Sequence, residues 1–200
     1  MARNPNQESG AREAHRALTL QGYPVASPRG DGPAIAVFDL ADYDRPGAQN
    51  GANVQALRAL LTQRPPFSGV GAFPQGGPNL PGFTVEASTP FLARPVYVDL
   101  PWGTGVRGVG QTGQDYLPTS SGAIQYLFAG LSADGRWLVT ASFPLGAPDI
   151  PAIGEEAARR DPAASIAAVH RHLSLLDEAR YTPQLASLDD LLRTLAVQGP

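Results

Sequence analysis

Residues 123–143, AIQYLFAGLSADGRWLVTASF, form the stretch that decides the fold. Residues 123–130 and 137–143 both alternate in side-chain character with the two-residue period of a β-strand. Between them lies Ser132-Ala133-Asp134-Gly135, and an Asp-Gly pair supplies the positive φ that a tight hairpin turn needs. The stretch therefore predicts two antiparallel strands joined by a short turn.

Further strands are predicted upstream of this hairpin. Residues 17–23, 34–40 and 94–100 alternate in the same way, and residues 83–85 could add a short strand. Within residues 34–40 the alternation divides the side chains between two faces, with Ile35, Val37 and Asp39 on one and Ala36, Phe38 and Leu40 on the other.

Three helices are predicted. Residues 53–64 carry leucine and valine at helical spacing, and Pro65 ends the segment. A second helix starts at an Asp161 cap followed by Pro162 and ends near Arg180. A third starts near residues 182–183 or at a Ser187–Asp190 capping box. The apolar residues expected to be buried by the first and third helices are Val54, Leu57, Leu60, Leu61, Leu188, Leu191, Leu192 and Leu195.

This order of elements predicts an α+β fold: an antiparallel sheet of about five or six strands with two or three helices packed on one side. Residues 1–16 are polar and are predicted to be a disordered leader, and residues 17–197 a single domain. Residues 64–83 are rich in glycine and proline without periodicity, so they are predicted to be an irregular insertion.

The composition excludes several classes of function. The chain has 200 residues, a formal charge of −3 and 42% hydrophobic residues, which is typical of a soluble globular protein and disfavours nucleic-acid binding. All 15 basic residues are arginine, and cysteine is absent, which removes disulfides, thiol nucleophiles and thiolate metal sites. No apolar run has the length of a signal peptide core or a membrane span.

Gly103, Gly105 and Gly108 have the spacing of a dinucleotide-binding turn. Such a turn needs a helix directly after it and an acidic residue about 20 positions further on. The following residues have no helical period, and no Asp or Glu occurs between Ser120 and Ala133. The glycines are therefore predicted to lie in a turn and a returning strand, where they allow close backbone approach.

The remaining residues that could bind a metal or take part in catalysis have structural explanations. His170 and His172 lie about 200° apart on a helix, so a shared metal is disfavoured, and His15 is expected to be solvated in the leader. The acidic pairs 155–156 and 189–190 are interpreted as helix-start residues favoured by the helix dipole. No Gly-x-Ser-x-Gly motif is present. No cofactor or metal site is predicted.

Aromatic residues near the strand ends offer two interpretations. Trp102, Tyr116, Tyr126 and Trp137 could form an exposed binding face, but packing against helices is favoured because one face of an amphipathic sheet must be buried. The candidate ligand or partner surface is Trp102, Arg107, Tyr116 and Trp137.

Residues 126–151, YLFAGLSADGRWLVTASFPLGAPDIP, carry a pattern of aromatic-x-Phe-x-Gly-Leu, Asp-Gly-Arg-aromatic-x-Val and Phe-Pro. This pattern resembles an uncharacterised group of exported bacterial proteins, often predicted lipoproteins. Segments LQGYPV, AIAVFDLADYD, VYVDLPWGTGVR and YTPQLASLDDLL occur in the same order, so the resemblance covers about residues 18–195. Members usually start with a signal sequence, a lipid-bearing cysteine and an extra segment; this chain lacks them, so a mature fragment or a trimmed start is expected.

The resemblance implies a periplasmic or cell-surface location and no catalytic residues. The expected function is an envelope-associated binding or scaffolding domain without catalytic activity, with an unknown protein or envelope component as its partner. The alternative is a hydrolase acting on a cell-envelope substrate. That alternative requires His170 or His172 beside a carboxylate in a cleft.

Overall fold

The computed structural model describes residues 15–28, 30, 32–43, 51–67, 80–82, 89, 91–112 and 123–197. These residues form one six-stranded antiparallel sheet in the order β1-β2-β6-β5-β4-β3. The strands are β1 (His15–Thr19), β2 (Ala34–Asp39), β3 (Leu92–Leu100), β4 (Gly103–Gly110), β5 (Ile124–Ser132) and β6 (Trp137–Leu145). The helices are α1 (Leu40–Tyr43), α2 (Gly51–Gln63), α3 (Glu155–Arg160), α4 (Pro162–Leu175) and α5 (Leu185–Arg193), with a short 3-10 helix, Glu178–Arg180, before α5. The predicted α+β class is confirmed.

The central hairpin is β5 and β6, as the opening stretch predicts. Gly135 has a φ of +70°, and its N–H donates to the Ser132 carbonyl at 2.8 Å. The Ser132 hydroxyl and the backbone N–H of Arg136 both donate to Asp134 Oδ1, at 2.5 and 3.0 Å. The Asp-Gly pair therefore closes the turn in the way its sequence predicts.

The central strands of the sheet are buried on both faces. One face packs on α4 and α5 through a core that includes Ile35, Tyr126, Phe128, Val139, Phe143, Val169, Leu173, Leu185, Leu188 and Leu192. The other face packs on α2 through Phe38, Val54, Leu57, Leu60, Leu61, Leu127, Leu138 and others. Two helices, α4 and α5, pack on one side as expected, whereas the predicted helix α2 covers the opposite face. Every residue of β5 is buried because it lies between these two layers.

The helix boundaries confirm some cap predictions and correct others. Asp161 caps α4 by accepting from the Ala164 N–H at 2.9 Å. The helix ends at Leu175 instead of continuing to Arg180, because the chain leaves helical geometry at Leu176. α5 starts at Leu185, so Ser187 lies inside the helix and the predicted capping box is wrong.

The glycine-rich stretch forms the predicted returning strand and not a phosphate-binding turn, but β4 starts at Gly103, so Gly103 and Gly105 lie in the strand and not in the turn before it. β3 and β4 are joined by Pro101 and Trp102. A Cβ added at Gly105 would lie 2.4 Å from the Phe128 ring, and one at Gly108 would lie 2.6 Å from the Leu92 side chain. Glycine is needed there because neighbouring side chains fill the space that a Cβ would take.

The two edges of the sheet differ. At the β3 edge, the pairing with β4 shifts register between Ala93 and Val96, and Arg94 has a φ of +51° next to Pro95. A bulge and a proline interrupt the regular row of donors on that edge. At the other edge, β1 pairs with β2 in one unbroken register, and all five of its residues are exposed.

Some predictions about the amino-terminal half need correction or lie outside the description. β1 starts at His15, inside the predicted leader, because His15 and Arg16 pair with Phe38 and Val37 of β2. The predicted strand at 83–85 and most of the insertion at 64–83 lie outside the described residues. In the described part of the chain, none of the helices combines the length and apolarity needed to cross a bilayer.

Candidate functional site

A cluster of charged side chains in the described interior is centred on Arg107. This residue lies on β4 and is 3% exposed. Its Nη2 donates to both carboxylate oxygens of Glu178, at 3.0 and 3.2 Å. Its Nη1 donates to the Arg94 carbonyl at 3.3 Å. A buried guanidinium is thereby paired with a carboxylate from the 3-10 helix on the helical side of the sheet, as burial of a charge requires.

Arg94 adds a second guanidinium to the same carboxylate. Its Nε and Nη2 lie 3.3 and 3.2 Å from Glu178 Oε1. Its Nη1 donates to the carbonyls of Ser174 and Leu176, both at 3.0 Å. These carbonyls belong to the end of α4, where helical carbonyls lack partners within the helix. The positive φ at Arg94 thus occurs where the β3 bulge directs this side chain toward the helix end.

Glu178 is held as a carboxylate by these contacts. Partial burial by itself would raise its pKa. Hydrogen bonds and charge from Arg107 and Arg94 outweigh burial, so the pKa of Glu178 lies below its usual value. Glu178 is therefore ionised at neutral pH.

Asp189 of α5 joins the cluster from the other side. Its Oδ1 accepts a hydrogen bond from the Tyr126 hydroxyl at 2.7 Å and lies 3.5 Å from Arg107 Nε. Burial raises the pKa of Tyr126 far above its usual value, and the charge of Asp189 raises it further. Tyr126 is therefore a protonated hydrogen-bond donor and not a nucleophile.

We call Arg94, Arg107, Tyr126, Glu178 and Asp189 the ion cluster. It contains two guanidinium groups and two carboxylates, so its formal charge is zero. Its members come from β3, β4, β5, the 3-10 helix and α5. Each carboxylate is bound by donors within the cluster, and the arrangement ties the carboxy-terminal helices to the sheet. Chemically it acts as a fixed set of charge-assisted hydrogen bonds.

The residues predicted to form a ligand surface are placed differently from that expectation. Trp102 is 8% exposed, and its Nε1 donates to the Leu192 carbonyl at 2.8 Å. Trp137 is 9% exposed beneath the Arg136 guanidinium, which lies 4.7 Å from the ring centroid. Arg107 is buried in the ion cluster, and Tyr116 lies outside the described residues. The expectation that Trp102, Arg107 and Trp137 are exposed is corrected: they pack in the interior, the interpretation the sequence favoured for aromatics.

The two helical histidines contact backbone, on different elements. His172 Nε2 lies 3.0 Å from the Pro148 carbonyl. Burial lowers the pKa of His170, and a hydrogen bond with the Leu92 backbone opposes this effect. Within the described ranges, no group of three or more His, Cys, Asp or Glu residues could hold a metal ion.

Most of the ion cluster is not predicted from the sequence. The interpretation of Asp189 and Asp190 as helix-start residues is wrong, because α5 begins at Leu185, so Asp189 lies one turn into the helix and contacts Tyr126 of the sheet. Asp190 instead pairs with Arg193 at 2.7 Å. One feature of the sequence does point to the cluster. Arg107 lies two residues before Val109 on the predicted strand, so both side chains are on the same, buried face of the sheet. A charged side chain on that face requires an oppositely charged partner such as a carboxylate.

Comparisons with known proteins found no matching family model, curated protein or solved structure. The resemblance to exported bacterial proteins therefore remains a prediction from the sequence.

Proposed function

We propose that this chain is a non-catalytic binding or scaffolding domain of the bacterial cell envelope, placed in the periplasm or at the cell surface. Its partner is a protein or another envelope component. The resemblance of residues 18–195 to exported bacterial proteins supports the location. The arrangement of the ion cluster supports the absence of catalysis.

The observation that carries this proposal is that both carboxylates of the ion cluster are held by donors within it, although Arg107 Nε lies 3.5 Å from Asp189 without a hydrogen bond. A general acid needs a carboxyl group whose pKa is raised toward the working pH. Glu178 has a lowered pKa and is bound by Arg107 and Arg94. Asp189 is bound by Tyr126 and Arg107. These groups stabilise the position of the helices, and the lowered pKa of Glu178 makes it unsuited to act as a general acid.

The hydrolase alternative needs a histidine beside a carboxylate. The ring contacts of His170 and His172 that the structure gives are with the backbones of Leu92 and Pro148. A backbone carbonyl orients an imidazole but does not take part in proton transfer as a carboxylate does in a triad. This geometry favours the binding function over hydrolysis.

Cell fractionation and intact-mass measurement of the native protein test the proposal. We expect the protein in the envelope fraction, and the purified chain to sediment with envelopes from its own cells. A protein found with cytosolic markers, whose purified chain stays in the supernatant, would contradict the envelope function.

A second experiment tests the absence of catalysis. The purified chain is incubated with isolated envelope material, and released fragments are measured by mass spectrometry, with a His170→Ala, His172→Ala double variant as the matched control. We expect the same background from both proteins. Release by the parent chain that the double variant lacks would establish the hydrolase alternative.

A further inference from the structure

The outer edge of β1, the outermost of the described strands on its side, carries an inference about assembly. Among the residues that the structure describes, β1 is the last strand on its side of the sheet. Its five residues pair with β2 without a bulge and are all exposed. Within the described ranges, an exposed edge without a bulge or proline offers a row of backbone donors and acceptors to another strand.

The alternation of hydrogen-bonded pairs across the sheet identifies which residues of β1 have backbone N–H and C=O groups that point away from β2. The Leu20 N–H donates to the Pro33 carbonyl, and the Leu40 N–H donates to the Arg136 carbonyl. Because bonded pairs alternate in an antiparallel ladder, odd-numbered residues of β2 bond to β1 and even-numbered ones to β6. Arg16 and Leu18, which pair with Val37 and Ile35, therefore bond inward. The backbone groups of Ala17 and Thr19 point to the open side.

We propose that β1 pairs with β1 of a second copy of this chain, about a two-fold axis at Ala17, to form a continuous sheet across a dimer. In this register the two Ala17 residues exchange two backbone hydrogen bonds. Arg16 lies opposite Leu18 of the second copy, and Thr19 lies opposite His15. The inference concerns assembly alone and does not depend on the envelope location proposed above.

The charged and apolar side chains of β1 are both compatible with a second copy of the chain paired to this edge. The two-fold register opposes no like charges, because the positive Arg16 faces the uncharged Leu18. Leu18 is 50% exposed, although it is a large apolar side chain. The aliphatic part of the opposing Arg16 would cover it while the guanidinium stays in water. The bulge and proline on β3 leave β1 as the regular edge.

Sedimentation equilibrium of the full chain tests the proposal. A single strand pair is at the small end of specific interfaces, so we expect a dimer with a Kd between micromolar and about 0.5 mM. Ala17→Pro removes the outward N–H and spares the inward bonds to β2, so it should abolish the dimer. Ala17→Val is the matched control, because it keeps the N–H and should leave the dimer intact.

Charge at position 18 tests the register without removing a backbone donor. Leu18→Glu places a carboxylate opposite Arg16 of the second copy, and Leu18→Arg places a like charge there. Each pair occurs twice by symmetry, so we expect Kd to fall about fivefold for the first variant and to rise about fivefold for the second. Thermal melting checks that both variants remain folded.

The proposal is overturned by a parent chain that stays monomeric at about 1 mM, or by a dimer that Ala17→Pro leaves unchanged. Shifts of Kd in the same direction for Leu18→Glu and Leu18→Arg would exclude the two-fold register. A dimer that is absent from envelopes would refute the proposed function alone, and a monomer that binds envelopes would refute this inference alone.

Discussion

Replacing Glu178 by glutamine should destabilise the fold by about 2 kcal/mol at pH 7. The amide keeps the size of the side chain but leaves the buried Arg107 side chain without its hydrogen-bonded carboxylate. Removing one member of a fully buried ion pair costs about 3–5 kcal/mol, whereas an exposed pair contributes about 0–1 kcal/mol. Glu178 is 34% exposed and Asp189 still lies near Arg107, so a value between these limits is expected.

Urea unfolding followed by tryptophan fluorescence measures this loss, since Trp102 and Trp137 are both buried. For a chain of this size the same change lowers the Tm by about 4–8 °C. Glu156→Gln is the matched control, because Glu156 pairs with Arg160 on the surface, with side chains 88% and 76% exposed. That variant should unfold like the parent.

A double-mutant cycle separates the ion pair from the other contacts of Glu178. Combining Glu178→Gln with Arg107→Met should cost less than the sum of the two single variants, with a coupling of at least about 1 kcal/mol. Additive losses, or a Glu178→Gln variant as stable as Glu156→Gln, would refute the view that the ion cluster holds the helices on the sheet.

Three further predictions concern pH, the buried tyrosine and the hairpin turn. Folding lowers the pKa of Glu178, so the ionised side chain stabilises the fold above its unfolded pKa of about 4.3, and this stabilisation is lost as the pH falls through the folded pKa. In a series of unfolding measurements at decreasing pH, the stability difference between the parent and Glu178→Gln should therefore shrink below about pH 4. Tyr126→Phe removes the donor to Asp189 and should cost about 1–2 kcal/mol in urea, and an unchanged midpoint would show that this bond contributes nothing. Gly135→Val should cost more than about 1 kcal/mol in a thermal melt because of the φ of +70°, whereas Gly32→Val, in open space without a positive φ, should melt like the parent.

Local signals predicted the parts of the fold that local chemistry determines. The turn at Asp134-Gly135, the cap at Asp161 and the leucine spacing of α2 each involve residues close together in the chain, and each appears in the structure. The sequence also predicts that the glycines of β4 do not form a dinucleotide-binding turn, because the residues after them lack a helical period.

The parts of the structure that the sequence does not predict depend on long-range contacts. Arg107 and Glu178 are 71 positions apart, and Tyr126 and Asp189 are 63 apart. No periodicity links such residues, because their proximity depends on how the helices are laid across the sheet. The placement of α2 on the opposite face has the same origin: an amphipathic helix shows which of its sides is buried, but not which face of the sheet it covers.

The irregular pairing at Arg94 and Pro95 has a consequence for the size of any assembly built on this sheet. A chain with two regular edges could add neighbours indefinitely and grow into a fibre. In the part of the chain that the structure describes, the β3 side is interrupted, so the proposed pairing through β1 would extend the sheet in one direction. An association through β1 uses the same surface on both copies, and such a contact closes on itself. Restoring a regular β3 edge would convert a self-limiting pair into a potential polymer.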